Sequence, residues 1–186
     1  MKIPVYKTEG IIIRRFNFNE FDKLLVVYTK DFVKIFVKAK SLLKKEAKMK
    51  SQLEIFNYVH LMLAKGKNKD TISGVALENG FPNLRQDLNS LAAAYYICEA
   101  TNKLITAPER DERIWQLVLK FFYFLEEKPR SAQTIQKLIN RFEYNLLTFL
   151  GHKPEREKKS YLDIFQYLCG ERVEASVFLK EILSWG

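Results

Sequence analysis

"GIIIRRFNFNEFDKLLVVYTKDFVKIFVKAK", residues 10–40, is the stretch on which the fold turns. β-Branched and aromatic residues gather in three runs, within 8–18, 21–29 and 32–40, with Asn, Glu, Lys and Asp between them. Such runs, bounded by turn-forming residues, are the signature of strands. The last run alternates. Ile35, Val37 and Ala39 point to one side, and Lys34, Phe36, Lys38 and Lys40 to the other. Working outward, "QLEIFNYVHLMLAKG" (52–66) is long and mixed, and "NKDTISGVALENG" (68–80) follows the turn-like "KGKNKD". Five runs at spacings of roughly ten residues predict a small all-β barrel or sandwich.

After Gly80 the period changes. "FPNLRQDLNSLAAAYYICEATNKLI" (81–105) places Leu84, Leu88, Leu91, Tyr95 and Cys98 at helical spacing, with Asn83 and Gln86 suited to a capping box. A second helix is expected in 109–127, ended near Lys128-Pro129. A third runs over 131–151, with Ser131 as its cap and Gly151 as its stop. "EREKKS" (155–160) is a charged linker, and 161–169 and 175–185 are two short closing helices. The chain is therefore expected to be α+β, with residues 1–80 a β-module and residues 81–186 an all-helical domain.

Charge divides at the same place. The net charge is +9, yet residues 1–80 carry sixteen Lys or Arg against eight Asp or Glu, while residues 81–186 carry fifteen against fourteen. A basic half beside a neutral half points to a polyanion partner for the first. A hydrophobic fraction of 47% provides for a packed core, which argues against global disorder. No run of eighteen apolar residues is present, and Met1–Glu9 lacks the apolar centre of a signal peptide, so a cytoplasmic protein is expected.

Enzymatic signatures are missing. The sequence holds no Walker loop, GxGxxG, GxSxG or HExxH. Cys98, Cys169, His60 and His152 match no zinc spacing, and buried thiols explain the cysteines. His60 lies in an apolar run as a strand residue, and His152 follows a helix stop, where a cation suits the dipole. Asp111-Glu112 and Glu126-Glu127 sit at helix ends, where solvation explains them. No catalysis, cofactor or metal is expected.

What remains is a binding surface. Residues 34–50 hold seven lysines, Lys34, Lys38, Lys40, Lys44, Lys45, Lys48 and Lys50, against Glu46 alone. Lysines neutralise phosphates, and Phe36 among them offers a base a stacking partner. The plain alternative is a solubilised edge strand. The concentration of like charge favours a polyanion, and Arg14, Arg15 and Lys23 could extend the surface. Their faces depend on strand register.

These residues resemble the RecO family of recombination mediators. Gly10, Arg14, Arg15, Phe18, Glu20, Asp22, Lys23 and Thr29 fall in register with the opening pattern of that family. "FPNLRQDLNSLAAAYYICE" is similar to its Leu-Arg-x-Asp-Leu helix, and "RFEYNLLTFLGHKPE" to its Phe-Glu-x-x-Leu-Leu…Leu-Gly-x-x-Pro stretch. There are departures. Asn19 and Val33 stand where glycines are usual, and Ala39-Lys40-Ser41-Leu42-Leu43 replaces Ala-Lys-Gly-Ala-Arg. Many members carry a four-cysteine zinc site after the Gly-x-x-Pro stretch; residues 152–165 have no cysteine. The resemblance implies a five-stranded OB-fold barrel followed by a helical domain. It implies binding to single- and double-stranded DNA, annealing of complementary strands and a nucleoid-associated place in the cytoplasm. The implied partners are RecR, the acidic C-terminal tail of single-stranded-DNA-binding protein and, indirectly, RecA. Arg85, Arg110, Arg113, Lys120 and Arg141 are candidates for that tail. The alternatives are an adaptor that binds acidic tails, or an RNA-binding OB-fold protein.

Overall fold

A computed structural model of the chain describes residues 4–40, 49–106, 110–152, 154–155 and 161–184. They form two compact units, the first ending at Gly80 and taking in Arg110, the second comprising Phe81–Thr106 and the chain from Asp111 onward.

The first unit is a closed barrel. Its strands are β1 (Val5–Asn17), β2 (Lys23–Thr29), β3 (Val33–Ala39), β4 (Tyr58–Ala64) and β5 (Asp70–Asn79). They are ordered β1-β2-β3-β5-β4, with β4 returning to β1. All pairings are antiparallel except the short β3–β5 seam, where Val37 meets Asp70 and Lys38 meets Thr71. This is the five-stranded OB-fold. The alternation of β3 holds, since Val33, Val37 and Ala39 are buried and Phe36 is exposed. The interior gathers Ile12, Leu25, Val27, Val37, Val59 and Leu63, and Leu53 joins them from the turns before β4. In the run 52–66, only 58–64 is strand. Ahead of it the Asn57 side-chain amide donates to the carbonyls of Ser51 and Gln52, at 3.0 and 2.9 Å, and this holds the turns that carry Leu53.

Three backbone details set the barrel's geometry. The β1–β2 register shifts between Ile12 and Arg14, a β-bulge. Gly10 lies so close to β2 that a Cβ there would stand 2.7 Å from the Tyr28 carbonyl oxygen and 2.7 Å from a Val27 methyl. Val33, where the resembling family carries a glycine, holds φ 60°, a left-handed conformation unfavourable to a β-branched residue.

The second unit is helical: α1 (Pro82–Gln86), α2 (Leu88–Leu104), α3 (Glu112–Glu127), α4 (Ala132–Phe149), α5 (Leu162–Cys169) and α6 (Ala175–Ser184). The expected single helix over 81–105 is two. Asp87 is extended (φ −100°, ψ 115°), and its carboxylate caps α2 by accepting the Ser90 N–H at 3.0 Å. Asn83 is not a cap. The chain turns at Phe81, Pro82 takes the first helical position, and Glu126 of α3 accepts the N–H groups of Asn83 and Leu84 at 3.2 and 3.0 Å. The cap came from a distant residue, so local spacing pointed to the wrong side chain. Ser131 caps α4 through the Thr134 N–H at 3.3 Å, and Gly151 follows α4 at φ 89°.

Helix α2 is the centre of this unit, with Ala92, Ala93, Ala94, Tyr96, Ile97 and Cys98 buried. Against it, buried Glu143 of α4 accepts the Tyr96 hydroxyl and the Tyr161 N–H, the latter at 3.1 Å. Burial raises the Glu143 carboxyl above its usual range although these donors favour the anion. Cys98 is buried and Cys169 only partly so; burial pushes both thiols up, which suits unreactive side chains.

Candidate nucleic-acid interface

The bulge in β1 decides which arginine reaches the surface. Ile12 faces the interior, and strict alternation would turn Arg14 inward with it. The extra residue resets the phase. Arg14 instead pairs with Val26, which pairs with Phe36; the three lie on the side away from the barrel interior, with Arg14 and Phe36 exposed and Val26 buried between them. The next row joins Phe16, Leu24 and Lys38, and Lys34 lies opposite Tyr28. Arg14, Phe16, Lys34, Phe36 and Lys38 therefore share one face of the barrel.

Cations and rings interleave on that face. The Arg14 guanidinium carbon stands 4.8 Å from the Phe16 ring centroid. Lys38 Nζ is 4.5 Å from the ring of Phe18, in the β1–β2 loop. Lys69 Nζ, in the β4–β5 loop, is 5.8 Å from the ring of Phe36. The β3–β5 seam brings Lys69 there, because Asp70 pairs with Val37. Phe16, Phe18 and Phe36 are nonetheless 37%, 38% and 46% exposed. Exposed cation–π pairs contribute only about 0.5–1 kcal/mol each, too little to account for three large apolar rings in water.

Like charges crowd together here. Partial burial of Lys34, and then the positive charge of Arg14, hold its ammonium below the usual lysine range. Both effects penalise the charged form, and an anion at the face would oppose the second.

The other expected DNA-binding residues are placed differently. Arg15 lies opposite Leu25, in phase with the interior rows, and forms an ion pair with Glu54. Lys23, likewise in phase with the interior rows at a strand end, donates to Asn17 Oδ1 at 2.7 Å. Lys40 and Lys50 are exposed, one after β3 and one in the turns before β4. Lys44, Lys45 and Lys48 lie outside the described residues. Sequence reasoning missed Phe16, Phe18 and Lys69. The first two were legible in "RRFNF", where rings alternate beside arginines. Lys69 sat in a segment read only as a turn.

His60 is exposed, with Nε2 3.2 Å from the Glu78 carboxylate. Among the described residues, no three His, Cys, Asp or Glu side chains gather to hold a metal ion. No helix among them is long and apolar enough to cross a membrane.

A second surface feature lies within the helical unit. A groove of about 570 Å³ between α3 and α4 is lined by the apolar Leu117, Phe124 and Phe149 and by the charged Glu112, Arg113, Lys120 and Arg141. Arg113 is paired with Asp111 at 2.6 Å and stands 5.0 Å from the Phe149 ring. Arg85 does not line the groove, and Arg110 belongs to the first unit.

Comparison with known proteins follows the division into units. Residues 1–81 match the family described as recombination protein O N terminal, and residues 85–161 match recombination protein O C terminal. The DNA repair protein RecO of Symbiobacterium thermophilum is 31% identical over 152 residues, which cover 82% of this chain and 59% of the relative. That of Dehalococcoides mccartyi is 35% identical over 150 residues, covering 81% and 58%. That of Clostridium novyi is 25% identical over 178 residues, covering 96% and 66%. The chain thus spans about three fifths of the length of the first two relatives.

Proposed function

The chain belongs to the RecO family of DNA repair proteins, and on that premise we propose that its barrel binds single- and double-stranded DNA through the outer face of β1, β2 and β3. There it holds strands for annealing without a nucleotide cofactor. The observation that carries this reading is the single face uniting Arg14, Lys34 and Lys38 with three exposed rings, flanked by Lys69. OB barrels commonly take oligonucleotides on the β2–β3 face between the β1–β2 and β4–β5 loops. Phe18 and Lys69 come from those two loops. Lysine and arginine bind phosphates without regard to sequence, which suits a protein that must act wherever DNA is damaged.

The test is oligonucleotide binding and ATP-free annealing by the protein and its Arg14→Glu/Lys34→Glu/Lys38→Glu variant. Loss of both in a variant that keeps its fold supports the site. Unchanged affinity refutes it. RNA of equal length competing as well as DNA would favour an RNA-binding role.

The family resemblance further implies work with RecR and single-stranded-DNA-binding protein to help load RecA. The groove between α3 and α4 supports one part of this, the capture of an acidic tail. Lys120 and Arg141 would hold carboxylates there, and the apolar residues a terminal aromatic side chain. A peptide with an acidic run ending in Phe should bind the protein and lose affinity on Lys120→Glu/Arg141→Glu. Equal binding by both would remove the groove from this role.

A further inference from the structure

We infer that the barrel face distinguishes single strands from duplex by stacking unpaired bases on Phe16, Phe18 and Phe36, each ring being screened by a cation until a base displaces it. This rests on the reading of the face as a nucleic-acid site and adds to it the form of nucleic acid that the site takes.

Three observations lead there. Each ring has its own cation within 4.5 to 5.8 Å of its centroid: Arg14 on Phe16, Lys38 on Phe18 and Lys69 on Phe36. The rings come from three separate segments, β1, the β1–β2 loop and β3. Phe16 and Phe36 are separated by the width of β2, so about 10 Å lies between their strands. A ring face can hold a cation or a base, but not both on the same side. When a base arrives, the displaced ammonium or guanidinium has a new partner beside it, the phosphate of the same nucleotide. The exchange costs no net charge pairing and covers apolar ring surface that is otherwise in water. A duplex cannot make the exchange, because its bases already stack on one another; it reaches only the cations. Stacking occupies the flat face of a base and leaves its Watson–Crick edge open. A strand held this way remains able to pair with its complement.

The experiment uses the full chain and three probes: oligo-dT of about 15 nucleotides, an abasic strand of equal length, and a blunt duplex. For the unmodified protein, dT should bind more tightly than the abasic strand, by about tenfold for each ring that holds a base. In Phe16→Leu/Phe18→Leu/Phe36→Leu that advantage should vanish. The corresponding Phe→Tyr variant, which keeps the stacking surface, should retain the preference. Equal binding of dT and abasic strands by the unmodified protein overturns the inference without requiring any variant to fold. So does a leucine variant that keeps the dT preference. The charge variant separates this failure from failure of the site itself. If Arg14→Glu/Lys34→Glu/Lys38→Glu abolishes binding while the leucine variant changes nothing, the site stands and stacking falls. If neither changes binding, both fall.

Discussion

Salt dependence offers a quantitative test of the barrel face. Arg14, Lys34 and Lys38 share that face, and replacing all three with glutamine removes three positive charges while keeping much of the side-chain length. For single strands, the slope of log K against log salt falls by about 0.7 for each phosphate that is no longer neutralised. Three such phosphates change the slope by about 2. Between about 50 and 200 mM salt, the variant should therefore lose about twentyfold less affinity than the parent protein does. Fluorescence anisotropy with a labelled oligonucleotide at four or five salt concentrations measures it. Arg15→Gln is the internal control. Arg15 is turned away from this face and paired with Glu54, so its replacement should leave the slope within error of the parent. A triple variant with the parental slope, or an Arg15 variant that alone accounts for the change, would refute the placement.

Three further outcomes follow from the geometry. Lys34 is held below the usual lysine range by partial burial and then by Arg14, and a phosphate at the face would raise it again. DNA binding should therefore take up protons at alkaline pH. Affinity should be highest below the free-protein pKa of Lys34 and fall as pH rises through it, and Lys34→Gln should flatten that limb of the profile. Gly10→Ala would drive a methyl against the Tyr28 carbonyl oxygen, which cannot yield without parting β1 from β2, at a cost of about 1–3 kcal/mol in a urea melt. Val33→Gly should be no less stable than Val33→Ala, against the usual order. The glycine gives up one more methyl but relieves a left-handed strain of about 1–2 kcal/mol, and a clearly more stable alanine variant would show that φ 60° carries no strain.

Sequence reasoning succeeded where the cause was local. The two-residue period of "KIFVKAK" placed Lys34, Phe36 and Lys38 together because successive side chains of any strand oppose one another. Ser131 was legible as a cap because the N–H it accepts from lies three residues on. It failed where the partner was remote. Asn83 looked like a cap, but the N–H groups that needed one were met by Glu126, 43 residues from Asn83. Asp87 looked like a mid-helix residue, but its carboxylate closes a new helix start, and its cost as an interior residue is thereby avoided.

The sequence by itself determined the change from strands to helices at Gly80, the concentration of positive charge in the first half and the family resemblance. All three are properties of residue order and composition, which no packing alters. Only the tertiary structure decided which cations face together. An unpaired residue in β1 turned Arg14 outward and Arg15 toward Glu54, and a bulge of one residue has no separate sequence signal among three isoleucines. Barrel closure through β3 and β5 carried Lys69 to Phe36 across 33 residues of chain. The physical reason is the same in both cases: a strand fixes the alternation of its side chains, but the neighbour it pairs with fixes their direction and company.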